Sequence, residues 1–172
     1  MRDIVQVGTP VLRATSEEVP VTEILTERIQ TILRDMTEAL DAEPDGAALA
    51  APQIGISLRI FILSKRVFGT DSTHDASSKD PHLVYINPEI IRRSKRKKVV
   101  DEGCLSVRGK YGTIARATNV TIRAYDEHGR LFERGAGGLL AQAFQHETDH
   151  LNGTLFIDQA DEVWDVPTPE RS

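Results

Sequence analysis

The pentapeptide His146-Glu147-Thr148-Asp149-His150 decides the architecture predicted for this chain. Residues four apart on a helix lie on one face, so His146 and His150 can bind one metal ion together. Glu147 occupies the position where a general base would lie beside a water molecule on that metal. Leu139 and Ala143 precede the histidines on the same face, which predicts that both histidines point inward. The pattern therefore indicates a metal-binding helix.

A third ligand is expected from the segment Glu102-Gly103-Cys104-Leu105-Ser106, which contains the only cysteine of the chain. A thiolate suits Zn²⁺ and Fe²⁺, and together with two imidazoles it leaves a fourth position open for water, as in catalytic sites. The acidic residues Asp158, Asp161 and Glu162 are poorer candidates because they lie in a polar, proline-containing tail. Without the histidine pair, Cys104 would be interpreted as a small buried hydrophobic residue.

Three motifs follow one another along the chain: Gly46-Ala47-Ala48-Leu49-Ala50-Ala51-Pro52-Gln53, Glu102 to Ser106, and Gln145 to His150. With these motifs in this order, the sequence resembles the peptide deformylases over most of its length. The resemblance implies a metal-dependent hydrolase that removes the N-terminal formyl group from formyl-methionyl nascent polypeptides. It also implies a metal-bound hydroxide as nucleophile and Glu147 as general acid and base.

The same resemblance implies further roles. The side-chain amide of Gln53 and the backbone N–H of Leu105 would stabilise the oxyanion beside a divalent metal ion. The resemblance implies Fe²⁺ as the ion of the more active form, with Zn²⁺, Ni²⁺ or Co²⁺ as alternatives. The resemblance implies that Gly46 and Ala48 contact the substrate. It also implies a pocket for the methionine side chain, lined by the ring of His146 and by Val100, Leu139 and Ala143. Periodicity alone would assign the pocket residues to the core.

Two positions depart from the family pattern. Ala48 stands where the first motif normally has its second glycine, so its methyl group is expected to narrow the substrate channel or to require a negative φ. Arg108 stands where a proline is common, which adds charge near the mouth of the site. Outside the ligand set, Glu102, Arg116 and Asp149 are candidates for an ion-paired shell around the histidines, or else ordinary surface charge.

Composition limits the classes of protein that remain. The 172 residues are 40% hydrophobic, which predicts a single catalytic domain spanning 1–172. No apolar stretch is long enough to span a bilayer, and the start lacks the apolar core of a signal peptide. The lone cysteine fits a reducing compartment, so a cytoplasmic location is expected and no membrane partner. A net charge of −5 argues against a DNA partner.

Residues 92–98 are a local exception to this acidic balance, because six of these seven residues are Lys or Arg. One interpretation is a transient contact with ribosomal RNA at the exit of nascent chains. The other, which we favour, is a solvated hairpin or a charged edge strand that discourages aggregation.

The expected fold class is α+β, with short, mostly antiparallel sheets around the metal-binding helix and another helix near the N-terminus. Apolar spacing predicts that N-terminal helix over about residues 22–42, capped near Thr22. Strands are expected at 58–63, at 83–91 with a break at Asn87-Pro88, at 120–124 and at 131–134. Residues 65–82 are expected to form a mobile insertion and residues 159–172 a polar tail.

Two other functions remain open at this point. A general zinc metallopeptidase would use the same metal and base to cleave unformylated peptides. A deformylase-like, ribosome-associated binding protein would retain the fold with reduced activity because of Ala48. Formylated, acetylated and free peptides distinguish the three functions.

Overall fold

The computed structural model describes residues 2–69 and 82–167. Its helices are α1 (Glu27–Asp41), α2 (Lys65–Phe68) and α3 (Gly138–Leu151). Its strands are β1 (Ala48–Ala50), β2 (Ile60–Ser64), β3 (His82–Arg93), β4 (Lys97–Gly103), β5 (Lys110–Ala117), β6 (Asn119–Tyr125), β7 (Leu131–Gly137) and β8 (Glu162–Asp165). Among the described residues, no helix is long and apolar enough to cross a membrane.

The strands form two antiparallel sheets. The larger has the order β1-β2-β3-β6-β7, and the smaller has the order β4-β5-β8. Neighbouring strands are antiparallel in both sheets. The predicted α+β class with short antiparallel sheets is therefore confirmed.

The larger sheet separates two cores because the side chains of β2 alternate between its faces. Ile60 and Ile62 belong to the cluster that contains the apolar face of α1. Phe61 and Leu63 belong to a second cluster with Phe144 of α3. The helix with the metal-binding motif thus packs on one face of the sheet, and α1 packs on the other.

The N-terminal helix begins later than expected. Residues Val21–Glu23 form a short 3-10 turn, and α1 begins at Glu27 after Thr26, whose backbone is extended with ψ 151°. Leu25, assigned to the buried face by its spacing, is 68% exposed. The predicted start at Thr22 is wrong because the apolar spacing runs through a turn that buries Ile24 and exposes its neighbour.

The expected break at Asn87-Pro88 is a bulge inside one long strand, β3. Asn87 has φ 49°, and the register with β6 shifts between Ile86 and Glu89. The Asn87 side chain accepts a 2.8 Å hydrogen bond from the Val19 N–H and donates a 2.7 Å bond to the Val19 carbonyl. These two bonds satisfy the backbone of Val19, while the Asn87 N–H itself donates to the Arg59 carbonyl at 2.8 Å, and the strand continues to Arg93.

The expected insertion, 65–82, falls mainly on residues 70–81, which lie outside the described residues. At its ends, Lys65–Phe68 form α2, and His82, which is 2% exposed, begins β3. Of the expected polar tail, the described part contains β8, which pairs with β5 between Tyr111 and Trp164. Sequence analysis did not anticipate this strand, because all four of its residues are exposed and none shows the alternation of a half-buried strand.

Candidate active site

The α3 helix presents the motif by burying its opposite face in the second core. Phe144 is fully buried, and its ring centroid lies 5.2 Å from that of Tyr85 in an edge-to-face contact. The helix ends at Leu151, directly before Asn152-Gly153, a pair of residues typical of helix ends. The Gly153 N–H donates to the His150 carbonyl at 3.2 Å, with φ 74° at the glycine. A side chain at Gly153 would lie 2.5 Å from the Arg13 carbonyl oxygen, so the turn also requires glycine for space.

Cys104, His146 and His150 form a compact group of metal-ligating atoms. Their donor atoms all lie within 4.8 Å of one another, and Sγ of Cys104 is 3.2 Å from Nε2 of His150. Cys104 lies in the β4–β5 connection, where the Val107 N–H closes a turn on the Cys104 carbonyl at 3.0 Å. The structure thus brings together the three residues that the sequence predicted as ligands.

Glu147 is buried beside this group and is 3% exposed. Its Oε2 atom has no hydrogen-bond partner among the described residues. Loss of hydration by burial is the main reason that the pKa of Glu147 rises to about 7. A buried carboxyl oxygen without a hydrogen-bond partner lowers the stability of the fold, and its position fits a group that accepts and returns a proton.

Gln53 lies on the other side of Cys104 and is 1% exposed. Its Oε1 accepts a 2.8 Å hydrogen bond from the Ala50 N–H, so its Nε2 is directed toward Ser106 Oγ at 3.1 Å and Cys104 Sγ at 3.6 Å. In the described part of the chain, the Leu105 N–H makes no hydrogen bond. Two donors, one from a side chain and one from the backbone, therefore lie next to the ligand cysteine.

An ion-paired cluster contacts His146 at its Nδ1 atom. Glu102 Oε1 lies 2.6 Å from His146 Nδ1, and Arg116 donates two hydrogen bonds of 2.8 Å to the Glu102 carboxylate. Arg116 also donates to Asp149 at 2.6 Å. Burial opposes ionisation of Glu102, but the bonds from Arg116 and His146 outweigh it and lower the pKa of Glu102 to about 2. These charges form the predicted shell rather than ordinary surface charge.

The predicted methionine-pocket residues lie on neighbouring elements. A 2.8 Å hydrogen bond from Gln142 to the Asp101 carbonyl holds the first half of α3 beside β4, which carries the half-buried Val100. Ala143 packs against the second core. Leu139 is 58% exposed, so it does not extend the buried apolar face of α3 toward the start of the helix. It lies in the first turn of α3, beyond the edge of the packed core.

At the first motif, Gly46 is closely packed: an added Cβ would lie 2.7 Å from Leu40 Cδ1 and 3.1 Å from the Glu43 carbonyl oxygen, so both neighbours would have to shift. Ala48 begins β1 with a negative φ, and its methyl group packs against the second core. Alanine at this position is therefore free of backbone strain. Its side chain points to the sheet face that carries α3, rather than along the open edge of β1.

Sequence analysis missed two contributors to the site. Ser106 is fully buried, and it both accepts from Gln53 and donates its N–H to Cys104 Sγ at 3.4 Å. The Phe156 ring lies 6.4 Å from the His146 ring. The one available signal was the position of Ser106 inside the cysteine motif. Asp158 binds Arg13 instead of the site, which agrees with the choice of Cys104 as third ligand.

A thiolate and two imidazoles beside an unpartnered buried carboxylate, with hydrogen-bond donors facing them, define the class of mononuclear metal-dependent hydrolases. Comparison with known proteins narrows this class. The family model described as polypeptide deformylase matches residues 1–164. A peptide deformylase from Clostridium botulinum is 43% identical over 159 residues, which cover 92% of this chain and 96% of that protein.

Comparison with solved structures identifies the same family. A crystal structure of a peptide deformylase from Legionella pneumophila is 39% identical, with a TM-score of 0.78, and covers 94% of this chain and 86% of that one. One from Synechococcus elongatus, in complex with actinonin, is 36% identical with the same TM-score, over 94% of this chain and 79% of that one. The chain therefore belongs to the peptide deformylase family and is a hydrolase of this kind.

Proposed function

We propose that this protein removes the formyl group from formyl-methionyl peptides at the site built by Cys104, His146 and His150, with residues 1–172 acting as a single catalytic domain. The observation that carries the proposal is Oε2 of Glu147, buried without a partner next to the ligand group. Amide hydrolysis requires a base at this place and hydrogen-bond donors opposite it.

The donor set fits a divalent metal ion. Three ligand atoms within 4.8 Å of one another match the spacing of a tetrahedral site with one open position. One sulfur and two nitrogens suit Fe²⁺ and Zn²⁺ alike. We propose Fe²⁺ as the native ion, with Zn²⁺, Ni²⁺ and Co²⁺ as substitutes. The ion supplies Lewis-acid activation of water and of the formyl carbonyl when it is bound.

Residues of the chain provide proton transfer, stabilisation of the formyl oxygen and orientation of a ligand histidine. Glu147 accepts the proton of the attacking water at Oε2 and delivers it to the departing amine nitrogen. The Nε2 amide of Gln53 and the N–H of Leu105 donate hydrogen bonds to the formyl oxygen as it gains negative charge. Glu102 accepts from Nδ1 of His146, which leaves the other ring nitrogen free to bind the metal.

Near this site, β1 offers an open strand edge to the backbone of a substrate. β1 is the terminal strand of the larger sheet, and within residues 2–69 and 82–167 its one partner is β2. We propose that the peptide adds to the free edge of β1 next to Gly46 and Ala48. The methionine side chain would lie against Val100, Leu139 and Ala143. A formyl group is smaller than an acetyl group. A site that encloses the formyl carbon tightly would therefore exclude acetylated peptides, because it has no space for the additional methyl group.

One assay separates this function from its alternatives. Purified protein is incubated with formyl-Met-Ala-Ser amide, acetyl-Met-Ala-Ser amide and the free peptide, and release of formate, acetate and internal fragments is measured. We expect formate from the first peptide alone. Cleavage of the free peptide would identify a general zinc metallopeptidase, and an absence of turnover with all three would leave a binding protein. Actinonin is expected to compete with the formylated peptide.

Metal identity is tested on protein stripped by a chelator and reloaded anaerobically with Fe²⁺, Zn²⁺, Ni²⁺ or Co²⁺. We expect the Fe²⁺ form to have the highest kcat and to lose activity in air, since both iron and the Cys104 thiolate are oxidised. The Ni²⁺ and Zn²⁺ forms should retain their activity in air. An air-stable Fe²⁺ form, or a Zn²⁺ form of equal kcat, would contradict Fe²⁺ as the native ion.

We also propose transient ribosome contact through residues 92–98, in the cytoplasm. The observation in favour is that, among the described residues, none of Arg92, Arg93, Lys95, Arg96, Lys97 and Lys98 has a carboxylate partner, whereas most other arginines do. A surface groove of about 480 Å³ adjoins the segment, lined in part by Arg92, Arg93 and Asn119. The alternative, a charged edge strand, applies to Lys97 and Lys98 of edge strand β4 but not to Arg92 and Arg93 of β3.

Co-sedimentation with ribosomes at increasing salt tests this contact. Replacing Lys95, Arg96 and Lys97 by Glu should abolish salt-sensitive sedimentation while leaving peptide deformylation unchanged. Unaltered sedimentation of that variant would support the edge-strand interpretation.

A further inference from the structure

Arg108, one of the two residues that depart from the family pattern, forms a bidentate ion pair with Glu43. Its Nη2 lies 2.7 Å from Oε1 and its Nη1 lies 3.2 Å from Oε2 of the carboxylate. The side chain of Glu43 is 11% exposed and that of Arg108 is 30% exposed. By contrast, both side chains of the surface pair Arg123–Glu133 are about half exposed. The parallel geometry and the partial burial distinguish the Glu43–Arg108 pair from such surface pairs.

Each partner is attached to a different wall of the proposed peptide-binding cleft: one wall is the segment that leads into β1, and the other is the loop that carries Cys104. The Glu43 carbonyl accepts a 3.0 Å hydrogen bond from the Gly46 N–H, and a Cβ at Gly46 would lie 3.1 Å from Glu43 Cβ. Glu43 is therefore packed under the segment that leads into β1. On the other wall, Gln6 accepts from the Arg108 N–H at 3.4 Å and donates to the Leu105 carbonyl at 2.9 Å. The ion pair ties the β1 segment to the loop that carries Cys104.

The direction of the bound peptide places this pair downstream of the reacting group. Gln53 binds the Ala50 N–H and lies 3.6 Å from Cys104 Sγ, so Ala50 marks the metal end of β1. A peptide on the free edge of β1 with its formyl group at the metal must run back past Ala48 toward Gly46. At about 3.3 Å per residue, the residues that reach Gly46 and Glu43 are those following the methionine.

We propose that the Glu43–Arg108 ion pair forms the downstream end of the substrate cleft and makes substrate choice independent of the charge at the second residue after methionine. This inference rests on the proposed function. When the charges are paired, their fields largely cancel at the substrate. When either partner is removed, the field of the other is no longer cancelled by this pair, and a net change of one charge remains near the downstream residues of the peptide. Each residue is thus a specificity-determining residue whose effect is masked by its partner.

The test compares two peptides within each enzyme variant, so that a general loss of activity cancels. The ratio of kcat/KM for formyl-Met-Ala-Glu amide to that for formyl-Met-Ala-Lys amide is measured at low salt. We expect a wild-type ratio within about twofold of one, a ratio raised by roughly 3- to 10-fold in Glu43→Gln, and one lowered by a similar factor in Arg108→Gln. The change should lie in KM and should shrink with added salt.

Further variants complete the design. The double exchange of Glu43→Arg with Arg108→Glu should return the ratio toward one, and Glu133→Gln, which breaks the remote Arg123 pair, should leave it unchanged. Arg108→Pro removes the same cation if Arg108→Gln does not fold. Equal ratios in all variants, or shifts in the same direction for both single changes, would overturn the inference. Wild-type turnover of formyl-Met amide, which lacks downstream residues, reports separately on the proposed function.

Discussion

The Glu102 carboxylate lies between His146 Nδ1, at 2.6 Å, and the guanidinium group of Arg116, at 2.8 Å to each oxygen. A ligand histidine whose second nitrogen donates to a carboxylate has a fixed ring orientation and a more basic ligating nitrogen. Arg116 holds that carboxylate ionised, and its contact with Asp149 joins the cluster to the metal helix itself. The ion pair is therefore part of the metal site, even though Arg116 is not a predicted ligand.

Arg116→Met tests this relationship. The change leaves Glu102 buried without its cation, so we expect the free energy of unfolding to fall by about 3 kcal/mol. Metal affinity should fall by roughly 10- to 100-fold because the orientation of His146 is no longer fixed. Urea unfolding and competition with a chromogenic chelator measure the two effects. Arg123→Met breaks a half-exposed surface pair and should cost less than about 1 kcal/mol, with no change in metal affinity.

The metal helix could be predicted from sequence because its signals are local. The His146 to His150 spacing lies within one segment, which Gly137-Gly138 precede and Asn152-Gly153 follow, and the structure forms a single helix between these glycines. The start of α1 was placed wrongly, because apolar spacing does not distinguish a 3-10 turn ending at Ile24 from the first turn of a helix.

The pairings around the site were predicted only in part: Glu102, Arg116 and Asp149 were candidates for an ion-paired shell, and the Glu43–Arg108 pair was not anticipated. Glu102 binds Arg116 across the β4–β5 pair, and Glu43 binds Arg108 across 65 residues of sequence. Such contacts depend on strand register and loop geometry, which one sequence does not reveal. The role of Arg108 is the clearest case, because the sequence showed only a charge in place of a proline and not its partner.

Cys104→Ala should remove most of the bound metal and abolish deformylation. Two imidazoles alone bind a divalent ion weakly and leave too many positions open. Cys104→Ser is the matched control, since its hydroxyl group preserves size and should retain some metal with poor turnover. Metal per chain is measured after gel filtration. Stoichiometric metal and full activity in Cys104→Ala would remove this residue from the ligand set.

Glu147→Gln separates metal binding from proton transfer. The amide has nearly the same shape as the carboxyl group but cannot accept the proton of water, so metal content should be unchanged. We expect kcat to fall by roughly 10²- to 10⁴-fold. Because Oε2 has no partner among the described residues, the variant should unfold at the same urea concentration as the wild type or a higher one. A metal-loaded Glu147→Gln enzyme with near-normal kcat would refute the assigned role.

Ala48→Gly tests whether the departure in the first motif affects the substrate. The Ala48 methyl group packs against the second core, and its backbone φ is negative, so neither sterics nor strain acts at the open edge of β1. We therefore expect KM for formyl-Met-Ala-Ser amide to change by less than about twofold, with kcat retained. Glycine loosens the unfolded chain and removes a packed methyl group, so the free energy of unfolding should fall by about 1 kcal/mol. A KM reduced fivefold or more would show instead that the methyl group obstructs the bound peptide, as the sequence alone suggested.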